Sequence, residues 1–317
     1  MIVALAGGVG GAKLAEGLYR ALPPDTLAVI GNTGDDFEFW GLHVSPDLDT
    51  LMYTLAGRAN PATGWGLADE TWNALAMMAA YGQETWFRIG DADLATHVVR
   101  TRLLANGQTL TGVSAYLMAG LEVHAQLLPM TNDRVRTLVD TDAGRLPFQI
   151  YFVQRHQEDT VRGGVFEGAD LANVTPEVTR AIDHADAIIL CPSNPIVSIG
   201  PILAVPLMRD LLDEPPTPKL AVSPIVGGKA LKGPADRMMT SLGHEASALG
   251  VARLYQGLVQ GFVVDTVDAD LAPAIEALGM RVLVVPAVMY TAADRRALAG
   301  AVLAFARELA QAPSLRR

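Results

Sequence analysis

The sequence predicts an α/β fold: a Rossmann-like parallel sheet with helices on both faces, carrying a large mixed insertion that helps form a substrate cleft. Three observations predict it. Short apolar runs bounded by turn residues recur along the chain, helical patterns lie between many of them, and the first run feeds directly into a glycine turn and a helix.

The strands are read at Ile2–Ala6, Leu27–Ile30, Ala187–Leu190, Leu220–Val222, Phe262–Val264 and Val282–Val285. Their length and β-branched content favour buried parallel strands. Helices are read at Lys13–Ala21, Pro176–His184, Ala204–Leu212, Pro234–Leu242, Ala246–Leu249, Ala269–Leu278 and Ala292–Ala310. The stretch from Pro46 to Arg180 breaks this rhythm. It carries helical segments at Thr50–Leu55, Asp69–Ala80, Asp93–Ala105 and Gly112–Gly120, then a β-like part from Ala125 to Gly168. We read residues 1–317 as a single α/β domain in which approximately 46–180 is the insertion. Glu214–Pro218 reads as a stiff surface loop, and the tail from Pro313 to Arg317 as frayed.

Composition narrows the function classes. Half of the 317 residues are hydrophobic and 18% are charged, which fits a folded enzyme. The formal net charge of −10 argues against a nucleic-acid footprint, which needs clustered Lys and Arg. An acidic chain still binds a phosphorylated small molecule through backbone amides and a divalent metal. The single cysteine, Cys191, follows an apolar run and reads as a buried core residue. A lone thiol fits a reducing compartment. No apolar run approaches a membrane span and no basic segment precedes the first one, so the expectation is a cytoplasmic protein without a membrane partner.

The glycine turn is GGVGGAK, with Gly7, Gly8, Gly10, Gly11 and Lys13. A strand, a glycine turn and a helix place unpaired amides and the helix dipole where an anion can sit. The dinucleotide fingerprint fails because Lys13 stands where its last glycine belongs, and the phosphate-loop lysine pattern fails because Ala12 and Leu14 flank that lysine. The turn is read as a phosphate site or, in the plainer reading, a tight structural turn. Lys13 either faces phosphate or is solvated.

An acidic constellation follows the second strand. Asn32, Thr33, Asp35 and Asp36 lie where a loop reaches the cleft, and Pro46-Asp47-Leu48-Asp49-Thr50 opens a helix. Asp47 or Asp49 can cap that helix, and the two carboxylates can also chelate a hard cation such as Mg²⁺. Asp35 joins them as a candidate metal ligand. Further on, FRIGDADLATHVVR supplies Arg88, Asp91, Asp93, Thr96, His97 and Arg100. Asp91 or Asp93 caps a helix in the plain reading, and His97 is a substrate ligand or a buried hydrogen-bonded histidine. Arg88 has no evident structural task, and a guanidinium suits phosphate or carboxylate. Trp65, Trp72 and Trp86 are core residues or a stacking surface. Two later loops, CPSNPIVSIGPIL with Ser193, Asn194 and Ser198, and SPIVGGKALKGPADRMM with Gly227, Gly228, Lys229 and Lys232, follow strands and read as ligand loops on the same sheet edge.

Together GGVGGAKL, NTGDD, SPDLDTLMYTLAG, GDADLATH, LPMTND, SNPIVSIGPIL and SPIVGGKALKGPADRMM resemble the 2-phospho-L-lactate transferase family, from the first residue to about Gly250. The departure is Val9, where the family often has threonine. The resemblance implies a transferase of coenzyme F-420 biosynthesis. It moves a phosphorylated three-carbon acid from a guanylyl diphosphate-linked donor to the ribityl hydroxyl of the deazaflavin Fo, releasing GMP, with Mg²⁺ as cofactor and a homodimer as the expected assembly. It implies acceptor contacts at Asp49 and Arg88, a catalytic or metal role for Asp47 and Asp49, and substrate contacts from Asp91, Thr96, His97, Ser193 and Asn194. The nucleotide is expected at Gly8, Gly10, Gly11, Lys13, Asn32, Gly227, Gly228 and Lys229. A nucleotide-sugar-binding regulator of the gluconeogenesis-factor type shares similar motifs and is the alternative. A nicotinamide-dependent oxidoreductase is disfavoured by the missing fingerprint.

Overall fold

The structure is a computed structural model that describes residues 1–213 and 216–311. The tail Pro313–Arg317 and the first two residues of the Glu214–Pro218 loop lie outside the described residues.

Strand β1 (Ile2–Ala6) is the axis of the molecule. Val3 and Leu5 enter one apolar layer, Ala4 and Ala6 the other, as the two-residue period of a strand requires. The chain turns at Gly7–Gly8 into α1 (Gly8–Ala21), which buries Ala12, Leu14, Ala15 and Leu18. It ends at Leu22, which is extended because Pro23 disfavours the helical conformation before it. Strand β2 (Leu27–Gly31) pairs in parallel with β1. A hairpin, β3 (Phe37–Phe39) and β4 (Leu42–Val44), leads to α2 (Pro46–Leu55), whose proline sits in the first turn, where its missing N–H costs nothing. Helices α3 (Asn73–Ala80), α4 (Asp91–Ala105) and α5 (Leu110–Gly120) follow.

Strand β5 (Gln126–Pro129) then rejoins the main sheet beside β2. This divides the stretch 46–180: β5 belongs to the core sheet, and α2 lies against α1. The β-like part continues as β6 (Arg136–Thr141), β7 (Gly144–Pro147) and β8 (Val161–Glu167), a small antiparallel sheet with β6 in the middle. Next come α6 (Pro176–Asp183), β9 (Ala187–Leu190), α7 (Ile199–Ala204), α8 (Met208–Asp213) and β10 (Lys219–Val222). The single helix read at 204–212 is two, because Pro206 and a left-handed Leu207 break it. A two-residue hairpin, β11 (Ile225–Val226) and β12 (Lys229–Ala230), precedes α9 (Ala235–Ser241) and α10 (Ala248–Leu254). Strand β13 (Gly261–Val264), a 3₁₀ turn at Thr266–Leu271, α11 (Ala272–Glu276), β14 (Arg281–Val284) and α12 (Ala292–Ala310) complete the described chain.

The main sheet runs β14-β13-β10-β9-β1-β2-β5, and every pairing in it is parallel. The strand order therefore reverses between β1 and β9. In open parallel sheets a ligand crevice forms at the carboxyl ends of the strands at such a reversal. The loops after β1 and β9 are GGVGG and CPSNP, so the topology brings two of the sequence's candidate loops face to face. Among the described residues no helix is long and apolar enough to cross a membrane.

Candidate active site

The crevice closes tightly. The Gly7 N–H donates to Ser193 Oγ at 3.0 Å, and the Gly8 N–H donates to Asp47 Oδ1 at 2.7 Å. The glycines serve this packing. A Cβ on Gly7 would lie 2.4 Å from Asp47 Oδ2, one on Gly10 2.3 Å from the Pro192 carbonyl oxygen, and one on Gly11 2.3 Å from Ser193 Oγ. Gly8 has φ +63°, a left-handed conformation that favours glycine. So the glycines at these positions are required by tight packing. It leaves the amides at the start of α1 beyond Gly8, Val9 and Gly10, as the ones an anion can reach, since they precede any acceptor within the helix.

Asp47 is the centre of the polar floor. It is 6% exposed, and its Oδ2 accepts from Asn32 Nδ2 at 2.9 Å. Asn32 also donates to the Val197 carbonyl and accepts from the Gly34 N–H, so it ties β2, α2 and the loop after β9 together. Burial pushes the Asp47 carboxyl up to about 6, against the pull of Asn32 and the Gly8 amide. Asp35 is driven well above the usual carboxylate range, first by burial and then by the charge of Asp47. Its Oδ1 is buried without a partner, as are Asp36 Oδ1 and Thr33 Oγ1. The other Asp36 oxygen accepts from Ser45 Oγ at 2.8 Å and pairs with His43 Nε2 at 3.0 Å.

Asp49 does not join this cluster. Residues i and i+2 on a helix point about 200° apart, so Asp49 turns away from Asp47 toward α4. There both of its oxygens pair with Arg100, which is 2% exposed. Of the sequence set Asp47, Asp49 and Asp35, the structure places Asp49 on Arg100, away from the Asp47 side of α2. Among the described residues no three His, Cys, Asp or Glu side chains are arranged to hold a metal alone. Two all-oxygen carboxylates with excess charge and an unpartnered oxygen still fit a hard cation such as Mg²⁺, which keeps waters and shares substrate phosphates.

The Asp49–Arg100 pair continues into α4. His97 Nδ1 is 3.2 Å from Arg100 Nη1, and its Nε2 is 3.3 Å from Asp93 Oδ2. The Tyr53 hydroxyl bridges Asp93 Oδ1 at 2.7 Å and Thr96 Oγ1 at 2.8 Å. Burial pushes the Asp93 carboxyl up, but His97 and the Tyr53 hydroxyl outweigh it and hold the group below its ordinary range. His97 is thus a buried, hydrogen-bonded histidine, and Thr96 serves the same network. Arg100 and Tyr53 join the network at helical spacings, Arg100 three residues after His97 and Tyr53 four after Asp49.

Several sequence candidates have structural tasks. Asp91 accepts from Thr71 Oγ1, from the Asn73 side chain and from the Asn73 and Ala74 amides, so it caps α3 and pins it to α4. Those bonds, Thr71 first, hold its carboxyl far below the usual range. Arg88 is exposed and stacks over Trp72 at 4.3 Å. Trp86 sits in an aromatic cluster with Phe37, Phe39 and Phe87, while Trp65 is 47% exposed. Asn194 Oδ1 accepts from the Ile196 and Val197 amides and shapes its own loop. Lys13 reaches away from the turn to the Met289 carbonyl at 2.8 Å. Burial, then Arg295 and Lys232, lower its pKa. Gly227 and Gly228, with φ +57° and +78°, form the two-residue turn of the β11–β12 hairpin, and Asp268 takes the Gly227 amide. Lys229 is exposed at the hairpin's end. Cys191 is buried and its thiol is raised by that burial, as a core residue requires.

With this geometry in place, residues 2–281 match the family model described as 2-phospho-L-lactate transferase CofD. The chain belongs to this family. It is therefore a transferase. Among relatives in the family is a protein named phosphoenolpyruvate transferase from Streptomyces griseus, 44% identical over 97% of this chain and 99% of the relative. Another is a 2-phospho-L-lactate transferase from Methanosarcina mazei, 36% identical over 88% of this chain and 91% of the relative. A solved structure from Bacillus halodurans, of the UPF0052 family, superposes with a TM-score of 0.60 at 14% identity, over 95% of this chain and 98% of that one, and shares the fold.

Proposed function

We propose that the chain catalyses a step of coenzyme F-420 biosynthesis. It moves an enolpyruvyl- or lactyl-type phosphoryl group from a guanylyl diphosphate-linked donor to the deazaflavin Fo. The oxygen of the terminal ribityl hydroxyl bonds to the phosphorus bearing the acid, the bond from that phosphorus to the GMP oxygen breaks, GMP leaves, and the hydroxyl proton passes to solvent. The enolpyruvyl donor is favoured over the lactyl one, because the relative named phosphoenolpyruvate transferase is the more similar of the two described.

One observation carries the reading. Helix α2 presents Asp47 to the glycine turn at the sheet crevice and Asp49 to the insertion helix α4, which supports a reading in which one short element serves both the phosphate and the acceptor. The first amides of α1 receive the diphosphate, with the helix dipole behind them. Asp35 and Asp47 would hold Mg²⁺, which when bound offsets the negative charge that develops on the leaving diphosphate oxygen. Asp49 orients the acceptor hydroxyl; with both oxygens on Arg100 it holds geometry rather than takes the proton. Little base help is required, since phosphoryl-type transfer depends mainly on positioning and charge. Arg88, stacked on Trp72 at the surface, lines the approach for the ring. We further propose a homodimer acting in the cytoplasm.

The test is a fluorescence titration of the protein with Fo, with and without GDP and Mg²⁺. Saturable binding, weakened in Asp49→Ala, is the expected result. Absence of Fo binding, with a nucleotide sugar binding instead, would overturn the proposed deazaflavin acceptor and guanylyl donor.

A further inference from the structure

Arg100 is the most deeply buried guanidinium in the α2–α4 network, and its contacts are more specific than a tether needs. Its Nη1 lies 3.1 Å from Asp49 Oδ2, its Nη2 bonds Asp49 Oδ1, and Nη1 also lies 3.2 Å from His97 Nδ1. A third approach, 3.5 Å to the His43 carbonyl, braces it from β4. His97 Nε2 lies 3.3 Å from Asp93 Oδ2 without a hydrogen bond, and the Tyr53 hydroxyl donates to Asp93 Oδ1, which returns the network to α2. A two-point pair of this kind sets the plane of a carboxylate as well as its place.

Stability alone accounts poorly for such a pair. Two charges removed from water gain little over an apolar pair of similar volume, since desolvation offsets their attraction. Asp49 stands in the first turn of α2, buried, with His97 Nδ1 3.7 Å from its Oδ2. Arg100 makes its close contacts and takes both of its oxygens.

We propose that Arg100 is the positioning residue of the acceptor site: it locks the Asp49 carboxylate in the one orientation that meets the acceptor's ribityl hydroxyl. The inference rests on the reading of Asp49 as an acceptor contact. Arg100 acts through Asp49 and leaves the nucleotide side, which is built on α1, Asn32 and Asp47, unchanged.

Steady-state kinetics of the purified chain with Fo and the guanylyl diphosphate-linked donor test it, in wild type, Arg100→Gln, Arg100→Lys, Asp49→Asn and the double variant Asp49→Asn/Arg100→Gln. Misplacing one positioning group costs roughly 10²-fold. That loss is expected in kcat/KM for Fo in Arg100→Gln, with the donor KM unchanged. The double variant is expected to be no worse than the worse single one, because two residues acting as one unit are not additive. Arg100→Lys keeps the charge without the fork and is expected to recover only part of the loss. It also carries the test if Arg100→Gln fails to fold with a stranded Asp49 charge. The proposal is overturned if Arg100→Lys matches wild type, if the two single losses multiply in the double variant, or if both KM values rise together. A wild-type protein that never binds Fo removes the functional reading itself. Fo turnover with indifferent Arg100 variants removes only this inference.

Discussion

Asp35 Oδ1 is buried without a hydrogen-bond partner among the described residues. A buried polar atom without a partner costs stability, and this one also stands in the field of Asp47. The folded protein therefore holds the Asp35 proton more tightly than the unfolded chain does. The sign follows. Wild-type stability falls as pH rises from the ordinary carboxylate range through the raised folded value, and recovers as pH is lowered again. Asp35→Asn removes the charge and keeps the shape. Without divalent cations at pH 7.5 the variant is expected to unfold at higher denaturant concentration than wild type, with the gain shrinking toward pH 5. Added Mg²⁺ is expected to stabilise wild type and leave the variant unmoved. Urea unfolding at the two pH values, with and without Mg²⁺, decides it; a variant less stable than wild type at pH 7.5 would show that Asp35 is satisfied by other means. Transfer activity is expected to be lost in the same variant, a charge kept for function against stability.

At the level of elements, close backbone approach fixes how the layers stack. Helices α1 and α12 cross where Gly17 faces the Arg295 carbonyl, and a Cβ there would lie 2.3 Å from that oxygen. A backbone carbonyl in a helix cannot swing aside. Gly17→Ala is therefore expected to destabilise the protein by about 1–3 kcal/mol through overpacking, despite alanine's better helix propensity; a thermal midpoint equal to or above wild type would refute the close crossing. The same crossing illustrates what sequence exposes. The α12 boundaries, Ala292–Ala310, and strand β9, Ala187–Leu190, were readable from periodicity because each is a single uninterrupted pattern. The membership of β5 in the main sheet was not, because four residues inside a mixed stretch carry no sign of their partner. Gly227-Gly228 looked like a ligand loop because a glycine pair serves a hairpin turn and a phosphate equally well. Asp49 read as a candidate beside Asp47, and its separation from Asp47 follows from helix geometry. Its pairing with Arg100, 51 residues later, required the fold.

For the molecule as a whole, α2 is the element through which the two proposed substrate sites would meet. It is buried along nearly its full length, between α1 on the sheet side and α4 on the insertion side. One of its carboxylates occupies the Gly8 amide, and the other is held by Arg100. A diphosphate on the Val9 and Gly10 amides would lie beside the Asp47 carboxylate that holds the Gly8 amide, and Asp49 stands in the same turn of α2, so nucleotide binding is expected to be felt at Asp49. Coupling between sites is a free energy shared by both ligands, so it must be reciprocal. GDP is expected to change the affinity for Fo by roughly 5–150-fold, and Fo to change the affinity for GDP by the same factor. Fluorescence titrations of Fo at a series of GDP concentrations, and calorimetric titrations of GDP with and without Fo, measure the two factors independently. Two dissociation constants that do not respond to the other ligand would mean that α2 is a rigid wall between the sites, and that each substrate finds its place alone.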